Sequence, residues 1–263
     1  MGWGDEIMVT ATVRRVHAGG KRKVAVRHKR GGAAWHPIWE NNPRMATPAE
    51  VAIATPVIWI DERSGCRPYI DYAAVVRRER YGWKAYGPEP GEIYLTAEEK
   101  RAARIVAGRV LIEPHTKPGG TVNKQWGWAR WQALVDRHPE VPWVQIGPPG
   151  VASLNGVKRF ETRNEREAAA AVSQMRAVVV PEGGLHHAAA ALGVPGVVIF
   201  GGYIAPMVTG YALHTNLFEG GSEYPLGCGW RTACAHCAAA LEAITPARVG
   251  EALQAVLAKD HHG

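Results

Sequence analysis

Residues 177–201 constrain the fold of this chain more than any other stretch. The apolar run Ala177-Val178-Val179-Val180 leads into Pro181-Glu182-Gly183-Gly184-Leu185-His186-His187. Ala188 to Leu192 follow, then Gly193-Val194-Pro195 and a second apolar run, Gly196-Val197-Val198-Ile199-Phe200-Gly201. The order reads as strand, glycine loop, short alanine-rich helix, strand. A glycine turn entering a helix presents unpaired backbone N–H groups that suit an anion. An acidic side chain and two histidines stand at the same corner. The pattern predicts a ligand site at the carboxyl edge of a parallel sheet.

The rest of the second half repeats the alternation. Arg109–Glu113 reads as a strand, 114–123 as a glycine-rich loop, Trp126–His138 as a helix and Val141–Ile146 as a strand. Glu165–Met175 reads as an alanine-rich helix and Pro246–Leu257 as a closing helix. In the first half, Gly2-Trp3-Gly4-Asp5-Glu6 opens a helix, Lys23–His28 is β-prone, Val51–Ile60 has strand composition broken by Pro56, and Tyr69–Tyr81 suits a loop with a short helix. A glycine loop entering a helix normally follows a strand; here the loop opens the sequence, so either the start is truncated or the fold dispenses with that strand. The turn cluster Gly87-Pro88-Glu89-Pro90-Gly91 and the capping signature Thr96-Ala97-Glu98-Glu99 put a boundary near residue 95. The expected fold class is therefore α/β, with two small parallel-sheet domains, 1–95 and 96–263, facing a ligand cleft.

Charge divides along the same line. Residues 1–110 carry 19 Lys/Arg against 12 Asp/Glu, whereas 111–263 carry 12 of each. The cluster Lys21, Arg22, Lys23, Arg27, Lys29, Arg30 suits a polyanionic partner, a phosphorylated glycan or nucleic acid, or is simply a solvated basic face. No apolar run approaches the roughly 20 residues of a membrane span. Four unevenly placed cysteines make a poor disulfide framework, and no secretory signal is evident, so the expected compartment is the cytoplasm. Cys234-Ala235-His236-Cys237 has the spacing of a zinc knuckle, with Cys228 and either His236 or His214 to complete a set, but a partner pair is missing. Free thiols are the competing reading.

Three segments resemble the bacterial ADP-heptose:lipopolysaccharide heptosyltransferase-like family, whose fold is the GT-B arrangement of two facing Rossmann-like domains. Gly2-Trp3-Gly4-Asp5-Glu6 resembles its first glycine loop. Glu113-Pro114-His115 through Lys124-Gln125-Trp126 resembles the opening of its nucleotide-sugar domain. Glu182-Gly183-Gly184-Leu185-His186 with Gly193-Val194-Pro195 and Phe200-Gly201 resembles its donor signature. That signature usually begins with aspartate where this chain has Glu182, and family members are commonly longer.

The resemblance implies an inverting glycosyltransferase that uses a nucleotide-diphosphate sugar, an ADP-sugar, and needs no metal for chemistry. The expected location is the cytoplasm or the cytoplasmic surface of the inner membrane. Asp5 would be the base on the acceptor hydroxyl; Glu6 is either its backup or a solvated neighbour. Lys124 would meet the donor diphosphate as leaving-group charge develops. His115, after a strand end and a proline, is a further donor-side candidate. Glu182 would accept bonds from donor hydroxyls, and Gly183 and Gly184 would bring backbone close to phosphate. His186 would face the ligand, with His187 structural. Gly202, Tyr203 and Ile204 would line the base pocket. Trp35 to Trp39 either stack on a sugar ring or base, or belong to the core. The alternatives are a non-catalytic nucleotide-sugar-binding protein derived from such a transferase, or a transferase acting on modified nucleic acid.

Overall fold

The computed structural model describes residues 2–28, 31–53, 56–61, 67–76, 79–117 and 119–259. The chain runs through helix α1 (Trp3–Gly20), strand β1 (Val24–Val26), helix α2 (Pro48–Ala52) and strand β2 (Ile58–Ile60). It continues through α3 (Ala97–Ala102), β3 (Val110–Ile112), α4 (Trp128–Arg137), β4 (Trp143–Gly147), β5 (Lys158–Glu161) and α5 (Glu165–Val172). The remaining elements are β6 (Ala177–Pro181), α6 (Gly184–Ala191), β7 (Gly196–Gly201), α7 (Pro206–Thr209), β8 (His214–Phe218), α8 (Ala235–Ala243) and α9 (Pro246–Lys259). None of the described helices is long and apolar enough to cross a membrane.

Six strands pair in parallel in the order β5-β4-β3-β6-β7-β8. The chain winds outward from β3 in one direction, then returns to β3's other side at β6. That reversal opens a crevice beyond the carboxyl ends of β3 and β6. Side chains alternate across the pleat. Leu111, Val144, Ile146, Val178, Val180, Val198 and Phe200 face one cluster. Val110, Ile112, Trp143, Ala177, Val179, Val197 and Ile199 face another. The second face is covered by α4, through Trp131 and Leu134, and by α9, through Val249 and Leu253. β1 and β2 form a separate two-stranded parallel sheet, Val24 opposite Ile58.

The first sheet face meets α5 and α6, through Ala168, Ala171, Val172 and Ala189. The outer sides of the same helices meet α1: Ala169 and Ala188 pack with Ile7, Val9 and Val13. Two helices sandwiched between a sheet and a third helix must be apolar all round and slim, which accounts for their runs of alanine. Two glycines allow the closest approach. A Cβ on Gly184 would lie 1.9 Å from Trp3 Nε1, and one on Gly4 would lie 2.5 Å from His187 Cδ2.

Several expectations need correction. Val51–Ile60 is not one strand. Thr47 caps Glu50, Glu50 caps Thr47 in return, and Pro48 supplies the first helical position, so α2 forms over the start of this stretch and β2 over its end. No helix forms among the described residues of 69–81; turns and isolated bridges such as Ile70 to Trp83 take its place. Glu6 is buried at 3 % exposure rather than solvated. Trp39 belongs to the core, fully buried, its Nε1 donating to Glu6 O at 2.6 Å. The capping box at Thr96 and Glu99 forms as read. Strands β5 and β8 carried no legible signal: Lys-Arg-Phe-Glu and His-Thr-Asn-Leu-Phe are the two sheet edges, where polar residues are favoured.

Arg166 ties the sequence halves together. Its Nε and Nη2 donate to the Glu99 carboxylate at 2.5 and 2.7 Å, Nη2 also reaches Tyr94 O at 2.9 Å, and Nη1 reaches Pro37 O at 3.2 Å. The bidentate bonds from Arg166 hold the Glu99 carboxyl down at about 2. Arg166→Met keeps the aliphatic stem and removes every donor. It should lower stability by about 2–3 kcal/mol, read as a drop in denaturant midpoint; an unchanged midpoint would show that the clamp contributes nothing.

Candidate functional site

Glu182 follows the last residue of β6, its N–H still donating to Ile199 O at 3.0 Å. Its side chain is 5 % exposed and meets the Lys124 ammonium in a close ion pair. Thr209 donates to Oε1 at 3.2 Å, and His187 Nε2 lies 3.8 Å from the same oxygen. Burial alone would raise this carboxyl, yet Lys124 and His187 hold it well below the usual range. Lys124 sits on a 3-10 turn, Val122–Lys124, with Nζ 5.2 Å above the Tyr203 ring. Gly183 and Gly184 open α6, which has no side-chain cap. α1 begins likewise at Gly2, whereas α2, α3 and α5 are capped by Thr47, Thr96 and Asn164. Two open helix N-termini therefore converge where α1 crosses α6, and both favour negative charge.

Asp5 lies in the first turn of α1. Tyr69 donates a close hydrogen bond to Oδ1, and Arg67 Nε lies 3.6 Å from Oδ2. Burial and the Asp5 charge push the Tyr69 hydroxyl well above its ordinary value, so it stays a donor. Burial opposes the Arg67 charge, but Asp5 and Tyr69 outweigh it and the guanidinium stays charged. A cavity of about 10 Å³ beside Asp5, lined by Met8, Arg67, Tyr69 and Tyr86, has room for one water.

The residues picked from sequence take distinct places. Lys124, Glu182, Gly183 and Gly184 come together. His115 stands at the end of β3, across the crevice from β6, with its N–H and Nδ1 both on Glu113 Oε1 at 3.0 and 2.5 Å. His186 turns into the protein, fully buried among Phe200, Tyr211 and His214, with neither ring nitrogen hydrogen-bonded. His187 is the histidine beside Glu182, and its Nδ1 is 2.8 Å from Tyr211 Oη. Tyr203 supports Lys124 and meets Trp83 edge-on, with ring centroids 5.4 Å apart. Arg67, Tyr69, Thr209 and Tyr211 carry no motif along the chain: Arg67, Tyr69 and Tyr211 reach the site from loops and Thr209 from the end of α7. In the basic cluster, Lys23 pairs with Glu50 at 2.5 Å, and Arg27 pairs with Asp61 at 3.1 Å and covers Trp59. Lys29, Arg30 and Cys66 lie outside the described residues.

Among the described residues, two groups of donor atoms could hold a metal ion, the atoms of each lying within 4.8 Å of one another: Glu182, His186 and His187, and Cys228, Cys234, His236 and Cys237. In the first, Lys124 already neutralises the carboxylate.

No family model and no curated protein sequence matches the chain. Solved structures do. The glycosyl transferase family 9 protein from Veillonella parvula is 13% identical with a TM-score of 0.63, over 98% of this chain and 95% of that one. The bacterial iron-containing dodecameric glycosyltransferase TibC from enterotoxigenic E. coli is 14% identical with a TM-score of 0.65, over 99% of this chain and 74% of that one. The E. coli ADP-heptose lps heptosyltransferase II is 18% identical with a TM-score of 0.50, over 65% of this chain. The match spans 54% of the length of that heptosyltransferase. The likeness shows the fold: α/β, of the GT-B type, as in the family that the sequence resembles.

The buried histidines make stability depend on pH. Burial pushes His214 down to about 4 and His186 well below its ordinary value. An unfolded chain protonates both near 6.5, so below that pH it binds more protons than the folded protein, and stability falls as pH drops toward about 4. Chemical unfolding between about pH 7 and about pH 5 should show a falling midpoint, with a shallower slope in His214→Gln. A flat midpoint would mean that these histidines titrate alike in both states.

Proposed function

We propose that the chain is a glycosyltransferase that moves a heptose-like sugar from an ADP-activated donor to an acceptor hydroxyl, with inversion. Residues 96–263 would hold the donor and residues 1–95 the acceptor. One observation carries the reading: Lys124 and Glu182 are paired at the crevice of a doubly wound sheet, beside the uncapped start of α6, and α1 brings Asp5 in from the other half.

The donor diphosphate would lie on the N–H groups at Gly183 and Gly184, with Lys124 supplying positive charge as the leaving group departs. Glu182 holds Lys124 in place and has the acceptor capacity for a donor hydroxyl. Asp5 would take the proton of the attacking hydroxyl. Its Oδ1 is occupied by Tyr69, so the proton would go to Oδ2. Because the space there holds only one water, the acceptor can reach Asp5 only if the segment carrying Arg67 and Tyr69 shifts. The same closed surroundings favour a second reading, in which the protein binds a nucleotide sugar without transferring it.

Calorimetry with a panel of nucleotide sugars tests the donor site. One donor should bind, and Lys124→Ala and Glu182→Ala should each weaken it at least about tenfold, the loss of one charge-assisted contact. Binding by no donor, in folded protein, would overturn the assignment. Asp5→Asn separates the two readings. For a transferase it should leave donor affinity intact and cut turnover about 10²–10⁴-fold; for a binding protein there is no turnover to lose.

A further inference from the structure

We propose that Cys228, Cys234, His236 and Cys237 form a structural zinc site at the start of α8, apart from the donor site. Cys228 comes from the loop after β8. Cys234 is the N-cap residue of α8, with His236 and Cys237 in its first turn. All three cysteines are free thiols; Cys228 and Cys237 are buried and Cys234 is half-buried. The four donor atoms lie within 4.8 Å of one another. Cys228 and Cys237 Sγ are 3.1 Å apart, and Cys237 Sγ is 3.9 Å from His236 Nδ1. A tetrahedral zinc with three sulfurs and one nitrogen needs donor separations of about 3.5–3.8 Å. Small side-chain rotations suffice to reach them.

The histidine is oriented for that role. His236 Nε2 lies 2.7 Å from Gly220 O. A carbonyl only accepts, so Nε2 carries the proton and Nδ1 presents its lone pair to the cysteines. This is the outer hydrogen bond that fixes a ligating imidazole. Gly202 makes room for the ring: a Cβ there would lie 2.8 Å from His236 Cε1 and 3.1 Å from Nδ1. The helix start adds a positive end to stabilise thiolates. His214, the other histidine that could have completed the set, is held elsewhere by Val194 O at 3.1 Å. Three thiolates and one imidazole in a compact group are a donor set of structural zinc sites. An open depression of about 470 Å³ lined by Cys234, Asn123 and Glu242 gives the ion a path inward.

The site would tie down a loop that the fold relies on. Between Cys228 and Cys234, the carbonyls of Trp230 and Thr232 accept from Asn123 Nδ2 at 2.6 and 2.7 Å, and Cys228 O accepts from Arg80 Nε at 2.8 Å. Asn123 neighbours Lys124 on the same 3-10 turn, so the clamp stands directly behind the donor-side lysine.

Elemental analysis of untagged protein, purified under reducing conditions without chelator, should find about one zinc per chain. Cys234→Ser and His236→Gln should lose most of it, while His214→Gln retains it. Because those variants can fail to fold, the unmodified protein should also be stripped and titrated with cobalt(II). Thiolate-to-cobalt charge transfer and tetrahedral ligand-field bands, saturating at about one equivalent, are expected. Folded protein that carries no zinc and gives no such spectrum overturns the proposal. So does iron in place of zinc, or a Cys228–Cys237 disulfide found by mass spectrometry in protein kept reduced throughout.

Discussion

The close crossing of α1 over α6 is the contact on which the rest depends. It requires the absence of side chains at Gly4 and Gly184, where a methyl group would collide with His187 and Trp3. It also requires Ala169 and Ala188 to present a flat floor to Ile7, Val9 and Val13. Because α5 and α6 rest on the large sheet, any thickening of them would lift α1 away. Asp5 and Glu182, 177 positions apart in the chain, belong to one neighbourhood only because this three-layer stack is thin.

The site concentrates charge in a place that should reject it. A carboxylate as buried as Glu182 survives ionised only with compensation, here from Lys124, His187 and Thr209. Asp5 is balanced in the same way by Tyr69 and Arg67. The two uncapped helix starts add positive potential that these carboxylates only partly offset. An anionic ligand is the natural complement to such an arrangement. The neutral, unbonded His186 beneath it illustrates the opposite solution, in which burial removes the charge altogether.

Legibility tracked how local each signal was. Central strands β3, β6 and β7 are short β-branched runs, and the helices between them announce their starts by glycine or a capping residue. These were readable. Edge strands β5 and β8 were not, since an edge carries polar residues and looks like a loop. α2 was missed because the Thr47 cap and Pro48 precede a stretch whose composition favours strand. At the site, the residues that share the strand-to-helix corner were readable, as was Lys124 through a family resemblance. Which of two adjacent histidines faces the carboxylate was not, because at a helix start one residue is a rotation of about 100°.

The sequence by itself determined the α/β class, the parallel sheet, the glycine corner at 182–184, and the cysteine-histidine cluster at 228–237. Each follows from residues within a few positions of one another, where backbone preference and side-chain periodicity act directly. Tertiary structure alone decided that Lys124 neutralises Glu182, that Tyr69 and Arg67 hold Asp5, that His187 rather than His186 stands at the carboxylate, and that His236 rather than His214 joins the cysteines. The first two span dozens of residues, the last two are choices between histidines near one another in the chain, and all depend on strand order and on how closely two helices can pack. Such distances are set by steric fit in a dense core, and that fit has no signature along the chain.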